Sequence, residues 1–377
     1  VDGSIITDTN DILTVDASAV TDANFYTTFD IRGGAAADVL KGGDGADTIT
    51  GGSGADAIDA GVGADTLTGG NGNDAYTLVT GDSTSAKTDT ITDFASGLDN
   101  LNITIAADKN LDLTDKGDVA NNTVGAALLS DSATIGEYFF NTTTSQWVQD
   151  TDGNGLIQSS DTVITMTGLT GFANKDINWT VSGTTGKSIT TGDGTDTITL
   201  NAVGTDTVIT GAGNDTIIYG TAGLLTAADT ITAGAGTDTL KIVDTDLTDA
   251  ELAKVTGVEK IVLTAASSVE LGAKALISGI DTVTTAANAA TVDVSAIYTA
   301  TIDATKLKDD LDLTLTDTGK ATLTVSALKG DIAATLDVAA NSVSVGIAAS
   351  ADSGQLLAFG TSVGSLTGTS QPATETT

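Results

Sequence analysis

Residues 33–77 read GGAAADVLK GGDGADTIT GGSGADAID AGVGADTLT GGNGNDAYT, which are five consecutive blocks of nine residues. The sixth place of every block is an aspartate: Asp38, Asp47, Asp56, Asp65 and Asp74. The eighth place is a large apolar residue each time: Leu40, Ile49, Ile58, Leu67 and Tyr76. Because all five blocks keep one register, the stretch predicts a repeated structural unit and not a glycine-rich linker.

Each block predicts a six-residue turn, which needs glycine, followed by a short strand whose eighth residue points inward. Two blocks complete one coil, so turns two blocks apart stack and pair Asp38 with Asp56, Asp47 with Asp65, and Asp56 with Asp74. Their carboxylates and turn carbonyls then surround a hard cation, and oxygen ligands select calcium over zinc or copper. We expect Asp56 to bridge two ions. The candidate turn ligands are Gly33, Gly42, Gly43, Gly45, Gly51, Gly52, Gly54, Gly61, Gly63, Gly69, Gly70 and Gly72.

A second, less regular array begins near Ser182 and reads SGTTGKSIT, TGDGTDTIT, LNAVGTDTVI, TGAGNDTII, a longer unit ending at Thr232, and AGAGTDTLK. Its sixth-place residues are Lys187, Asp196, Asp206, Asp215, Asp229 and Asp238. Its candidate turn ligands are Gly192, Gly194, Gly211, Gly213, Gly234 and Gly236. Lys187 places an ammonium where a cation would lie, so we expect no calcium at that edge.

Both arrays resemble the RTX (repeats-in-toxin) calcium-binding family, whose consensus is GGxGxDxUx with U a large apolar residue. The resemblance implies an all-β fold of calcium-binding parallel β-rolls, combined with further β-rich domains, and several bound Ca2+ ions. The segment Asp89-Thr90-Ile91-Thr92-Asp93-Phe94, followed by Gly97-Leu98-Asp99, looks like the one that closes such rolls, which makes Asp89 and Asp93 further candidate ligands. Ala36 and Ala60 depart from the consensus by replacing glycines.

A third calcium candidate lies in residues 150–161. Oxygen donors occupy loop places 1, 3, 5, 9 and 12, Gly155 falls at place 6, and the Leu156 carbonyl at place 7. The donors are Asp150, Asp152, Asn154, Gln158 and Asp161. This spacing matches an EF-hand loop, although place 12 is Asp where Glu is usual and the flanks predict strands. An Asx-rich turn without metal is the alternative.

The acidic residues also indicate a hard-cation binder. Five of the 50 acidic residues are Glu and the others are Asp, and the net charge is −35. Because nucleic acids and anionic membranes are themselves polyanions, this charge argues against both as partners. The chain contains no Cys, which excludes disulfides and thiolate metal sites. No apolar run reaches the ~20 residues that span a bilayer, and Val1-Asp2-Gly3 does not begin a signal-peptide pattern, so we expect a processed start or a fragment of a longer chain.

The pattern divides the chain into six predicted segments. They are an N-terminal β segment (1–32), the first roll (33–83), a small globular β-rich domain whose aromatic residues form a core (84–180), the second roll (181–241), a β-rich assembly domain (242–367) and a polar tail (368–377). Predicted strands include Ile5-Ile6, Ile12–Val15, Lys260–Leu263, Thr291–Val294 and Leu311–Leu315. One helix is predicted over Leu247–Val255, where Thr248 and Glu251 form a capping box.

The residue types argue against catalysis. The chain contains no His, which excludes HExxH zinc sites and Ser-His-Asp triads, and no Cys nucleophile. Residues 243–263 (VDTDLTDAELAKVTGVEKIVL) look like units of RTX-type bacterial surface-layer proteins. The interpretation is therefore a secreted, cell-surface structural subunit, not an enzyme, that assembles with itself into a lattice or filament. The alternative is a calcium-stiffened adhesin or biofilm-matrix module, and a cell-surface polysaccharide is a further candidate partner.

Overall fold

The structure is a computed structural model that divides into two compact units, residues 1–202 and 203–377. It describes residues 1, 3, 8, 10–21, 27–106, 110–121, 125, 129, 135–243, 246–264, 267–271, 273–280 and 282–284, followed by the backbone of eight strands between 290 and 368. The predicted strand at Ile5-Ile6 and residues 369–377 of the tail lie outside this part. The unit boundary falls within the stretch 181–241, and the six-segment division stays a prediction.

The first unit is built from short strands that mostly pair in parallel. They are β1 (Thr14–Asp16), β2 (Asp30–Arg32), β3 (Val39–Lys41), β4 (Thr48–Ser53), β5 (Ala57–Asp59), β6 (Thr66–Asn71), β7 (Ala75–Val79), β8 (Asp89–Ile91), β9 (Asn100–Ala106), β10 (Leu111–Asp112), β11 (Asp115–Val119), β12 (Tyr138–Asn141), β13 (Gln146–Gln149), β14 (Thr162–Met166), β15 (Ile177–Gly183), β16 (Ser188–Thr190) and β17 (Thr197–Ala202). A 3₁₀ turn covers Asn174–Asp176. One sheet follows the order β2-β4-β6-β8-β14-β13-β12-β11, and another contains β1-β3-β5-β7-β9-β15-β17.

Successive blocks of the repeat alternate between these two sheets, as the sequence predicts for coils of two blocks. Val39 of β3 therefore pairs with Ala57 of β5, and Thr48 of β4 pairs with Thr66 of β6. The eighth-place residues form the core between the sheets, since Leu40, Ile49 and Ile58 are fully buried. The all-β class and the parallel β-roll are thus confirmed.

The stretch 84–180 shares these sheets with the roll. β9 pairs with β7 of the roll, and β8, which lies within this stretch, pairs with β6 of the roll on one side and with β14 on the other. The prediction that its aromatic residues form a core is confirmed, because Tyr138, Trp147 and Trp179 are at most 1% exposed and their rings contact one another. Strands β12 and β13 are buried on both faces, since Phe139 and Val148 pack into a second apolar cluster.

The second unit continues with short parallel strands. They are β18 (Thr207–Ile209), β19 (Thr216–Tyr219), β20 (Thr230–Thr232), β21 (Thr239–Ile242), β22 (Asp246–Leu247), β23 (Val255–Thr256), β24 (Lys260–Leu263), β25 (Ser267–Leu271), β26 (Thr282–Thr284), β27 (Ala290–Val294), β28 (Thr299–Asp303), β29 (Leu313–Asp317), β30 (Thr322–Leu328), β31 (Ile332–Leu336), β32 (Ser342–Ile347), β33 (Leu357–Phe359) and β34 (Ser365–Gly368). Within this unit β18-β20-β23, β19-β21-β24-β26-β28-β30-β32-β34 and β22-β25-β27-β29-β31-β33 are hydrogen-bonded neighbours.

The predicted helix over Leu247–Val255 is wrong. Its two ends belong to the strands β22 and β23. The chain between them folds into turns, with backbone hydrogen bonds such as that from the Ala253 N–H to the Ala250 carbonyl. The capping contact does form, because Glu251 Oε2 accepts from the Thr248 N–H at 2.8 Å. A short helix lies instead at Ala273–Ser278. No helix among the described residues is long and apolar enough to cross a bilayer.

Candidate calcium sites

The sixth-place aspartates of the first roll form two rows, one on each side of the coil. In one row the backbone N–H of Asp38 donates to Asp56 Oδ1 at 2.7 Å, and that of Asp56 donates to Asp74 Oδ1 at 2.9 Å. In the other row the Asp47 N–H donates to Asp65 Oδ1 at 2.7 Å. The three predicted aspartate pairs are therefore neighbours in the structure.

Both rows extend into the segment that follows the repeats. The Asp65 N–H donates to Asp89 Oδ1, and the Asp74 N–H donates to Asp99 Oδ1, both at 2.9 Å. Asp89 therefore lies where the sequence predicts a ligand, and Asp99 is a row member that the candidate set omitted. Asp93 lies outside the rows, because its carboxylate accepts from the N–H groups of Gly69 and Gly70. A calcium role for Asp93 stays a prediction.

Two aspartates inside the rows, Asp56 and Asp65, each keep one carboxylate oxygen without a donor. Asp56 and Asp65 are each 1% exposed, and no described group donates a hydrogen bond to their Oδ2 atoms. Burial raises the pKa of Asp56 to about 6, with further contributions from the negative charges of Asp74 and Asp38. Leaving a buried carboxylate oxygen unpaired is costly. A bound cation removes that cost, so the donor set fits calcium.

The outer members of the rows are satisfied by the backbone. Asp38 accepts from the N–H groups of Leu13 and Gly34, at 2.7 and 2.6 Å. Asp47 accepts from those of Phe29 and Gly43, at 2.7 and 3.0 Å. Leu13 and Phe29 therefore occupy the next sixth places but carry no carboxylate, so each row ends at its outer aspartate on this side. The nine-residue period does not reach these residues, so no repeat pattern identifies them before the strands are paired.

The glycines leave room for these oxygens. A Cβ at Gly33, Gly42, Gly51 or Gly69 would collide with the Oδ2 atom of the aspartate in its own block. Others adopt a positive φ in the turns: Gly45, Gly52, Gly54, Gly61, Gly70 and Gly72. A Cβ at Gly43 or Gly63 would also clash with backbone carbonyl oxygen. The predicted turn glycines are thus required by close approach or by backbone conformation.

The second array places its aspartates in two units. In the first unit Asp196 is buried and its Oδ2 accepts from Thr191 Oγ1 at 2.7 Å. Lys187 is 2% exposed and donates from Nζ to Thr185 Oγ1 at 3.3 Å, and the absence of calcium at this edge stays a prediction. Gly192 and Gly194 both adopt a positive φ.

In the second unit the backbone N–H of Asp206 donates to Asp229 Oδ1 at 2.6 Å, and that of Asp215 donates to Asp238 Oδ1 at 2.7 Å. This is the row pattern of the first roll, and the four aspartates are fully buried. The turn glycines Gly211, Gly213, Gly234 and Gly236 all adopt a positive φ.

The third candidate forms a loop between the antiparallel strands β13 and β14, so its flanks are strands and not the helices of an EF-hand. Carboxylate oxygens of Asp150, Asp152 and Asp161 lie within 4.8 Å of one another. Burial raises the pKa values of Asp150 and Asp161, with smaller contributions from the neighbouring carboxylates.

The other two predicted ligands of this loop make internal contacts. Asn154 Oδ1 accepts from the Leu156 N–H at 2.8 Å, and Gln158 Nε2 donates to Asp152 Oδ2 at 3.0 Å. Hydrogen bonds within the loop thus occupy several of the candidate calcium ligands. Both interpretations of the loop, a calcium site and an Asx-rich turn without metal, stay predictions.

Stacked turns, inward apolar rows and facing buried carboxylates define a calcium-binding parallel β-roll. The family model of the RTX calcium-binding nonapeptide repeat (4 copies) matches residues 30–58, 42–76, 50–83, 202–223 and 225–241. The chain therefore carries RTX calcium-binding repeats, and its ions are Ca2+. No curated protein sequence matches the chain.

Proposed function

We propose that this protein is a secreted structural subunit of a bacterial surface layer or extracellular filament, which assembles with copies of itself after calcium has folded it. The observation that carries the proposal is the buried carboxylate rows, which include Asp56, Asp65 and Asp238 with Oδ2 atoms that no described donor reaches. A fold with such rows needs cations to form, so calcium binding contributes to its folding free energy.

The location outside the cell follows from the same dependence. Proteins with RTX repeats are typically secreted. Extracellular calcium modules bind at ~10⁻⁴–10⁻³ M, so the rolls would stay unfolded in a low-calcium cytosol and fold outside. The net charge of −35 keeps the metal-free chain apart from its copies, and calcium neutralises part of that charge.

The proposed role is not catalytic. The chain contains neither His nor Cys, and the aspartate rows of the described residues are accounted for by calcium geometry. The surface-layer-like segment at 243–263 and the repeated parallel strands beyond it support self-assembly, since ordered β coils offer rigid partners to one another.

The test is to follow assembly while calcium is removed and restored. The full chain is kept in calcium, treated with a chelator, and returned to calcium or to equal magnesium, with electron microscopy and light scattering at each step. We expect an ordered array or fibre in calcium, dispersal with the chelator, and recovery with calcium alone.

A pair of variants makes the test specific to the rows. Asp56→Asn combined with Asp65→Asn should prevent assembly at calcium concentrations that assemble the parent chain. Asp30→Asn is the matched control, because that carboxylate is 63% exposed and bonds to Arg32 on the outer face of β2. Folded chains that stay dispersed in saturating calcium would contradict the subunit role and favour a monomeric adhesin.

A further inference from the structure

Glu259 lies beyond the last matched repeat, yet its backbone occupies the sixth place of a coil. The Thr239 N–H donates to the Asp215 carbonyl at 2.8 Å, the Lys260 N–H to the Asp238 carbonyl at 3.0 Å, and the Thr282 N–H to the Glu259 carbonyl at 3.0 Å. The strand register agrees, since Thr239 pairs with Lys260 and Lys260 pairs with Thr282. Asp215, Asp238 and Glu259 therefore precede their strands at equivalent positions.

The Glu259 side chain continues the row of the second unit. Asp238 Oδ1 accepts from the Asp215 N–H, and Glu259 Oε2 accepts from the Asp238 N–H, both at 2.7 Å. The connection from β23 to β24 has three residues, whereas the one from β20 to β21 has six. The extra methylene of Glu compensates for the shorter turn and brings its carboxylate to the place that Asp fills elsewhere.

Asp238 has an oxygen that nothing in the described protein satisfies. The residue is 1% exposed, and its Oδ2 atom accepts no hydrogen bond from any described group. Burial raises the pKa of Asp238, and the negative charges of Asp215 and Glu259 raise it further.

The turns around Glu259 contain two glycines with a positive φ. A Cβ at Gly257, whose φ is 71°, would lie 2.8 Å from the Gly234 carbonyl oxygen. A Cβ at Gly279, whose φ is 95°, would lie 3.8 Å from Glu259 Oε1. Gly257 therefore allows the close approach of its turn to Gly234, and a side chain at position 279 would lie beside the Glu259 carboxylate.

We infer that Asp238 and Glu259 bind a calcium ion, which extends the calcium row past the last nonapeptide and into the segment that follows it. Asp238 Oδ2 and the Glu259 carboxylate supply the charged ligands, and the stacked turns supply carbonyl oxygens. This site goes beyond the proposed function, because it would fill in a dispersed chain whether or not the chains assemble. The alternative is that Glu259 only accepts the Asp238 N–H and closes the row without an ion.

The substitution Glu259→Gln separates these two roles, because Gln can still accept the Asp238 N–H but lacks the charge that calcium needs. Calcium bound per dispersed full chain is counted by equilibrium dialysis with metal analysis. We expect Glu259→Gln to bind one ion fewer than the parent. Glu270→Gln is the control, since Glu270 is exposed on β25, and it should leave the count unchanged.

A second variant and a second measurement cover the case in which Glu259→Gln folds poorly. Glu259→Asp keeps the charge but is one methylene too short for the three-residue turn, so it should also lose the ion. Thermal unfolding is then compared in calcium and in chelator. If Glu259 is a calcium ligand, its substitution lowers the thermal midpoint in calcium alone. If Glu259 only accepts the Asp238 N–H, the substitution lowers the midpoint equally in both conditions. An unchanged calcium count with equal destabilisation in both conditions would overturn the inference, and it would leave the assembly proposal untouched.

Discussion

The aspartate rows of the two units reach the same local geometry from different sequence spacings. In the first roll the paired aspartates are 18 residues apart, whereas in the second unit Asp206 and Asp229 are separated by 23 residues. The backbone-to-carboxylate bonds are nevertheless 2.7 and 2.6 Å. Strand register, and not the nine-residue period, therefore sets the row, and a coil can lengthen between strands without moving its aspartates.

The longer coil does change what the carboxylate contacts. The connection between β19 and β20 contains Thr226, whose N–H and Oγ1 donate to Asp229 Oδ2 at 2.7 and 3.1 Å. Asp56 lies in a regular coil, and its corresponding oxygen has no donor in the described structure. The regular coil thus leaves an oxygen of Asp56 for metal, whereas Thr226 of the longer coil satisfies the corresponding oxygen of Asp229 with protein.

Calcium removal should produce the largest effect, and it should destabilise the strands beside the aspartate rows more than the parts of the first unit that lack such rows. A saturated site at about 100 times its dissociation constant contributes about 2.7 kcal/mol, so several sites dominate the stability of a roll. We expect amide hydrogen exchange in β3–β7 to accelerate about a hundredfold or more per lost site after chelation. The apolar cluster around Phe139 and Val148 should keep more of its protection, because none of its described members belongs to an aspartate row. Uniform loss across the first unit would contradict this division.

Single aspartate substitutions should show the next largest effects. Asp56→Ala should remove two ions, because Asp56 lies between Asp38 and Asp74, whereas Asp38→Ala should remove one. Asp229→Ala should remove no more ions than Asp38→Ala, since Thr226 satisfies one oxygen of Asp229 as Gly34 satisfies one of Asp38. Titration calorimetry with calcium measures all three. Equal losses at Asp56 and Asp38 would argue against coils of two blocks.

The same comparison explains what the sequence could predict. The nine-residue period is enough to predict the coil, the paired aspartates and the inward Leu, Ile and Tyr residues, because each block repeats the same residue types at the same places. Leu13 and Phe29 break the pattern of residue types, and strand pairing alone places them in the rows. Glu259 departs from the pattern by carrying Glu where the repeats carry Asp. The segment GVEKI aligns with GTDTL, so reading Glu in place of Asp would have found Glu259. The failed helix at Leu247–Val255 has the same origin, since β22 and β23 pair with distant strands and override a local capping signal.

Acid should partly replace calcium in the metal-free protein. The pKa of Asp56 is raised in the fold from 3.8 to about 6, so the protonated form favours the folded state. That contribution is complete below 3.8 and disappears as the pH rises through about 6. Without metal, the thermal midpoint should therefore increase as the pH falls from 7 to ~5. In subsaturating calcium the trend should reverse, because protons compete with calcium for the same oxygens. If the thermal midpoint changed with pH in the same way in both conditions, protons and calcium would not be competing for the same carboxylate oxygens.

The smallest expected effect compares one methyl group at the first place of two neighbouring blocks. A Cβ at Gly51 would collide with Asp56 Oδ2 and lie 2.6 Å from the Gly69 carbonyl oxygen, whereas the next block already carries Ala60 at the same place. Because those contacts are to a carboxylate and a backbone carbonyl, Gly51→Ala should cost ~1–3 kcal/mol of unfolding free energy and weaken calcium binding at Asp56. Ala60→Gly should change stability by less than ~1 kcal/mol, since it removes one methyl and adds only backbone freedom. Urea unfolding in saturating calcium measures both variants, and the calcium midpoint of each shows whether the ion site is affected. If the two substitutions change the unfolding free energy by the same amount, the first-place glycine is required for its backbone conformation. The collision of a Cβ with the carboxylate would then not explain why the repeat has glycine there.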